Sequence, residues 1–354
     1  MPLTVLNVAF PFAPVDEDPV GGAEQVLAAL DRALVAQGHR SIVIAAAGSR
    51  TCGELVSFRS DTHARAETHR AVRAAIDEVL TRRRIDLMHF HGTDFIDYLP
   101  PHGPAALVSL HLPLDWYPAH ALQPRRPLVW LQPVSASQAS RAERDLGFLP
   151  PIENGVDVAA FPRLRKRRYA IVLGRVCAEK GFHDAIEACK RAGVALLAAG
   201  QVFGWPEHRR YFEGEVLPRL DRERRFIGPV GGRRKRRLLA AARCLLVPSR
   251  AQETSSLVAM EALAAGTPVI AFRSGALPDI VEHGRTGFVV DNAAQMAAAI
   301  GRVATIDPQA CRRAARERFP QERMVAAYLA RYAQLAGCTG ATGTQCGHVP
   351  LSGG

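Results

Sequence analysis

Glu253 and Glu261 bracket the run ETSSLVAME, two carboxylates eight residues apart, and the helix expected to open in that run ends at Gly266-Thr267-Pro268. Eight helical steps would set the carboxylates ~12 Å apart along the axis. That is too far for a shared proton, but it suits gripping two ends of one elongated polar ligand. Thr254, Ser255 and Ser256 are N-cap residue types. A helix starting there offers free backbone N–H groups and a positive dipole end to an anion. Carboxylates that hold hydroxyls on either side of an anion cradle describe a nucleotide-diphosphate sugar. A solvated helix with two surface glutamates is the plainer alternative.

Such a cradle needs a scaffold, and the pattern supplies one. Short apolar strands alternate with amphipathic helical stretches, which predicts parallel sheets with helices on both faces. LTVLNVAF reads as a first strand, followed by a loop, Gly21-Gly22, and a helix with Val26, Leu27, Leu30, Ala33 and Leu34 on one face and Gly38 as its cap. Strands at 41–45, 87–90 and 106–110 complete that sheet, and a helix over 64–83 turns Ala71, Ala74, Ala75, Ile76 and Val79 inward. A second cycle opens at 169–173 and continues with strands at 194–198, 225–227, 244–247, 268–272 and 287–290. Two successive Rossmann-like domains follow, each a doubly wound parallel α/β sheet, with the ligand in the cleft where their strand ends face each other. The expected division is 1–160, then 161–320, then a helix over 321–336 packing back on the first domain. Residues 337–354, rich in Gly, Thr and Ser, are expected to be disordered.

Composition narrows the classes. The 354 residues are 48% hydrophobic and 22% charged, as in an ordinary two-domain globular chain. No apolar run is long enough to span a bilayer, and the N-terminus reads as a strand, not a leader peptide. Seven scattered cysteines lack CxxC or His/Cys metal spacing, which suits a reduced cytoplasm. The net charge of +11 is uneven: residues 1–160 carry 14 basic against 18 acidic side chains, and the remainder carries 31 against 16. The second half is thus the one built to meet an anion. Its runs at 165–168 and 233–237 raise the possibility of nucleic acid, but aromatics make up only 6% of the chain and do not interleave with them. The first run reads as a solvated linker and candidate hinge, the second as an exposed helix face.

Taken in order, the motifs resemble the retaining nucleotide-sugar glycosyltransferases of family 4, with GT-B fold. The residues that carry the likeness span most of 1–335. They are Gly21-Gly22-Ala23-Glu24, Asp86 to His91, Ser109-Leu110-His111, Asn154-Gly155-Val156-Asp157, Gly174-Arg175, Glu179-Lys180-Gly181, Phe226-Ile227-Gly228, Pro248-Ser249, Glu253 through Glu261, and Gly284-Arg285-Thr286-Gly287.

The resemblance implies roles. Arg175 and Lys180 would neutralise the departing diphosphate, joined by the N–H groups near Ser256, Leu257 and Val258. Glu261 would hold ribose hydroxyls, Glu253 hydroxyls of the transferred sugar, and His111 would stand beside that sugar. Gly22 would admit close backbone approach, and Gly228 would border the nucleobase. Gly21, Glu24, His91 and Asn154 are secondary candidates. His89 and His91 are expected to face opposite ways along their strand, which leaves only His91, nearer its end, for the cleft. No metal or other cofactor is expected. Asp16-Glu17-Asp18 fits an Asp-X-Asp string but lacks the strand context of a metal site. Thr254, Ser255 and Ser256 depart from the family's aromatic and glycine after the first glutamate, and Asp279 replaces a commoner glutamate. The sequence therefore leads to a metal-independent, retaining transfer of a hexose-type sugar from a UDP- or GDP-linked donor to an unidentified hydroxyl acceptor. A GT-B-fold nucleotide-sugar epimerase and a basic nucleic-acid-binding protein are the alternatives. Nucleic acid is not an expected partner, and membrane contact is at most peripheral.

Overall fold

The computed structural model describes residues 1–16, 19, 21–142 and 146–337. Residues 17 and 18 of the acidic string and 338–354 of the expected tail lie outside the described residues.

The first half begins with β1 (Thr4–Val8), α1 (Gly22–Ala36), β2 (Arg40–Ala46), β3 (Glu54–Phe58) and α2 (Arg65–Arg82). β4 (Leu87–Phe90), β5 (Ala105–Leu110), β6 (Val129–Pro133) and the short α3 (Ala136–Ala139) complete it. All five strand pairings are parallel, in the order β3-β2-β1-β4-β5-β6. Strand order reverses between β1 and β4. Right-handed crossovers then send the chain to opposite faces, so a crevice opens at the carboxyl ends of these two strands.

The second half repeats this layout. It runs through β7 (Tyr169–Leu173), α4 (Phe182–Ala192), β8 (Ala195–Ala199), α5 (Pro206–Tyr211), β9 (Arg224–Phe226) and α6 (Gly232–Ala241). It continues with β10 (Cys244–Val247), α7 (Leu257–Ala264), β11 (Val269–Phe272), α8 (Leu277–Ile280), β12 (Gly287–Val290), α9 (Ala293–Arg302) and α10 (Pro308–Arg318). The order β12-β11-β10-β7-β8-β9 is also all parallel, with its reversal between β7 and β10. Two doubly wound sheets are thus observed, the GT-B arrangement. Their central strands are buried on both faces, which is why they read as continuous apolar runs.

The sequence reading passed over β3 and β6. Both are edge strands: β3 (ELVSF) mixes polar and apolar residues, and the short apolar run of β6 (VWLQP) closes at Gln132 and Pro133. In α2 the inward stripe is Thr68, Val72, Ile76 and Val79, while Ala74 is exposed. Of the expected residues, Ile76 and Val79 belong to that stripe, and Ala71 and Ala75 pack half-buried beside it. Lys166 also departs from expectation. Its ammonium bonds the Ala240 carbonyl at 2.9 Å and the Thr267 hydroxyl, and burial pushes its pKa down to about 8. This part of the expected linker is therefore fastened to the second half. Arg165, Arg167 and Arg168 beside it are exposed.

The last described helix, α11 (Gln321–Ala336), packs on α1 and β4 of the first half. Met324, Tyr328, Tyr332 and Leu335 form its buried stripe, at helical spacing. They join one apolar cluster that runs from the first sheet through Ile152 and Val156 into the second. Two hydroxyls on this stripe are used. Tyr332 lies 2.7 Å from His89 Nδ1, and Tyr328 lies 2.8 Å from Ser109 Oγ. Tyr332→Phe leaves a buried imidazole nitrogen unpartnered, at a cost of about 1–3 kcal/mol. Urea unfolding of the full chain should show that loss; an unchanged midpoint would mean that water replaces the hydroxyl.

Candidate active site

Parallel strands deliver their following loops to one edge, so loops after β1 and β5 meet those after β7 and β10 across a cleft. Gly22, at the start of α1, faces the start of α7: a Cβ added to Gly22 would sit 3.4 Å from Leu257 Cδ1. Thr254, in the loop after β10, donates its hydroxyl to the His111 carbonyl at 2.8 Å. His111 follows β5, so this bond spans the two halves.

Glu253 is not helical. It stands in the loop ahead of α7, and the spacing of ~12 Å expected for two helical carboxylates does not apply. Residues 254–256 stay outside the helix, and Gly275 packs closely on Glu253: any Cβ at Gly275 would lie 2.0 Å from the Glu253 carbonyl oxygen. The Ala276 N–H also bonds that carbonyl at 2.7 Å. Ser256 is the residue before α7 but makes no side-chain cap. The N–H groups of Leu257 and Val258 have no protein partner among the described residues. The helix start is therefore open to an anion, as its dipole favours.

The basic groups are arranged unequally. Lys180, in the turn between β7 and α4, is not a free point charge: its ammonium is 2.5 Å from Glu253 Oε1, which Ser249 also bonds. Gly181 keeps that turn close to the loop after β10. It has φ +63°, and a Cβ there would meet the Pro248 carbonyl at 2.2 Å. Arg175 makes no ion pair among the described residues. It faces Glu24 of the first half, whose carboxyl pKa is raised by burial and partly offset by its own backbone bond and the Arg175 charge. Glu24 also folds over Gly21, where a Cβ would collide with the carboxylate.

Glu261, deeper in α7, pairs at 2.7 Å with Lys235, and both side chains are 8% exposed. Lys235 belongs to the basic run expected to be a solvated face. Its neighbours Arg233, Arg234 and Arg237 are exposed, but Lys235 shares the inner stripe of α6 with Leu239. That spacing of four was the available signal for it. Gly228, with φ +71°, accepts a bond from the Gly200 N–H at 3.0 Å just past β9. Asn154 is drawn into none of these contacts. It is buried where 155–156 runs beside 319–321, and its Oδ1 has no partner among the described residues.

His89 and His91 do not face opposite ways. Residues two apart on a strand share a face, and the two rings lie 4.0 Å apart. His91 Nδ1 is 3.0 Å from His111 Nε2. A cavity of about 230 Å³ opens between Leu114, Asp115, Gln138 and Arg141 of the first half and Gln252, Glu253 and Thr254 of the second.

These features coincide with the comparisons. Residues 167–305 match the family described as Glycosyl transferases group 1, the stretch that holds Arg175, Lys180, Glu253 and Glu261. A glycogen synthase from Mycobacterium tuberculosis is 33% identical over 183 residues, covering 48% of this chain and 43% of that protein. A D-inositol 3-phosphate glycosyltransferase from Streptomyces scabiei is 50% identical over 66 residues, 19% of this chain and 15% of its own length. The chain thus spans under half the length of these curated relatives. Among solved structures, AviGT4, a glycosyltransferase involved in avilamycin A biosynthesis, superimposes with TM-score 0.70 at 25% identity over 96% of this chain and 99% of its own. Sucrose-phosphate synthase from Thermosynechococcus elongatus gives 0.76 at 20% identity over 95% and 100%. The architecture is that of the GT-B glycosyltransferases, and the second half carries the group 1 likeness.

The histidines set a pH dependence. Burial pulls His89 and His91 well below the usual range and His111 down to about 4. The unfolded chain protonates these rings near pH 6.5, whereas the folded chain keeps His111 neutral down to about 4. Unfolding therefore takes up protons between those values, and stability falls as pH drops through that window. The melting temperature should decline from pH 7 to 5. His91→Asn should flatten the decline by one proton's share, and an unaltered slope in that variant would count against a neutral His91.

Proposed function

We propose that the protein is a metal-independent, retaining glycosyltransferase that moves a hexose-type sugar from a UDP- or GDP-linked donor to a hydroxyl acceptor. The observation that carries this reading is the convergence of Arg175, the Lys180–Glu253 pair and the open start of α7 at one cleft facing Gly22 and His111. As the glycosidic bond breaks, negative charge grows on the diphosphate. Arg175, Lys180 and the N–H groups of Leu257 and Val258 meet it without an ion. Glu261 takes the ribose hydroxyls while Lys235 holds its carboxylate, and Glu253 takes hydroxyls of the sugar. Gly228 borders the base. The acceptor hydroxyl attacks from the face that the diphosphate leaves: a carbon–oxygen bond forms as the old one breaks, and the hydroxyl proton passes to the leaving phosphate oxygen. Anabaena HepE, with TM-score 0.73 at 16% identity over 94% of this chain, was solved with UDP and glucose, which supports a UDP-linked hexose. The cavity beside Glu253 is the proposed acceptor entrance.

No described helix is long and apolar enough to cross a membrane, and the five described cysteines are free thiols. The free thiols support a cytoplasmic site of action.

UDP or GDP, without added metal, should raise the melting temperature, since saturation at a hundred times Kd adds about 2.7 kcal/mol. A glycosylated product identifies the transferase, and an isomerised nucleotide sugar would instead identify an epimerase. No response to any nucleotide would remove both. Arg175→Ala should retain the fold and lose about a hundredfold in turnover; unchanged transfer would refute its phosphate role.

A further inference from the structure

Two buried histidines, His89 and His91, and the half-buried His111 form a ladder beneath the cleft, and its bonding pattern is incomplete at one point. His89 occupies both ring nitrogens, Nδ1 with the Tyr332 hydroxyl at 2.7 Å and Nε2 with Ser109 Oγ at 2.8 Å. It supports the ring of His91 at 4.0 Å but has no nitrogen left to bond it. His91 bonds only forward, from Nδ1 to His111 Nε2 at 3.0 Å, and these two rings are parallel to within 13°. His91 is 2% exposed, and its Nε2 has no partner among the described residues.

We propose that His91 is a positioning residue that fixes the plane and tautomer of His111, so that His111 meets the ligand as a hydrogen-bond donor through Nδ1–H and not as a base. The catalytic meaning of this inference rests on the glycosyltransferase reading above; the tautomer itself does not.

Burial keeps both rings neutral, so each carries one proton. His91 Nε2 is stranded in either tautomer. A stranded N–H is the rarer defect in folded interiors, so the proton belongs on Nδ1, where it has a partner. His91 Nδ1–H then donates to His111 Nε2, which must be the unprotonated nitrogen of its ring. The proton of His111 is left on Nδ1, the one nitrogen free to meet a ligand.

Two consequences follow for the transfer. A fixed N–H suits a sugar hydroxyl oxygen, or charge developing on it, because the donor is aimed before the ligand arrives. The same nitrogen has no lone pair with which to accept the acceptor's proton. That proton goes to the leaving phosphate oxygen.

The test is the ring ¹⁵N spectrum of the full chain labelled at histidine, read with transfer kinetics. His111 is expected as the Nδ1–H tautomer in the wild type. In His91→Leu it should move toward Nε2–H, with a fall in kcat of about tenfold for the lost orienting bond. His91→Asn places an amide N–H near the position of Nδ1 and should recover both the tautomer and most of the rate, which guards against a fold defect in the leucine variant. Finding His111 as Nε2–H in the wild type, or unmoved in His91→Leu, overturns the proposal. A correct tautomer shift with unchanged kcat overturns its catalytic part. The expected spectra without nucleotide-sugar binding would instead defeat only the glycosyltransferase reading.

Discussion

Parallel strands impose one constraint from which the rest of this molecule follows. Each crossover must be right-handed, so a sheet that reverses its strand order parts its loops at a single place, above the carboxyl ends of the two central strands. This chain does so twice, between β1 and β4 and again between β7 and β10. Gly22, Arg175, Lys180 and Glu253 follow β1, β7 and β10 at those two partings, with His111 on the neighbouring turn after β5 and Glu261 farther along α7. The protein did not need to bring Arg175, Glu253, Gly22 and His111 together by long excursions. The winding of the two sheets had already set their carrier loops face to face.

Electrostatics within that gap are prepared, not bare. Glu253 holds Lys180, and Glu261 holds Lys235, so two carboxylates and two ammonium groups compensate each other. Buried charge is tolerable in this form because each partner replaces lost hydration. Arg175 and the α7 start keep positive character with no carboxylate bonded to them among the described residues. Positive character is thus concentrated at one place, with Glu24 and Glu179 near enough to Arg175 to feel its charge. This is a more selective arrangement than the simple excess of positive charge in the second half.

The central strands were legible because burial on both faces writes an apolar run into the sequence. The edge strands β3 and β6 were not, since ELVSF mixes polar with apolar residues and VWLQP ends its short apolar run at Gln132 and Pro133. The start of α7 lies later than expected because Thr254, Ser255 and Ser256 are good capping types, yet these residues stay outside the helix where Gly275 packs on Glu253. Lys235 was hidden by its neighbours, four other basic residues that tell nothing about which one turns inward. Strand periodicity alone places His89 and His91 on one face, against the expectation that they face opposite ways. Thr254, read as a departure from a familiar pattern, is instead the side chain that reaches the His111 carbonyl.

The route of the chain between the halves has a mechanical consequence. Val156 and Pro320 form a parallel bridge, with the Val156 N–H on the Phe319 carbonyl at 2.9 Å and the Gln321 N–H on the Val156 carbonyl at 3.0 Å. Outgoing and returning segments therefore cross side by side. Two tethers fastened at one spot resist shear and torsion far better than a lone connector does, yet they bend easily about the line through both. Any opening of the two lobes is thereby steered onto a single axis, like a door on its pin.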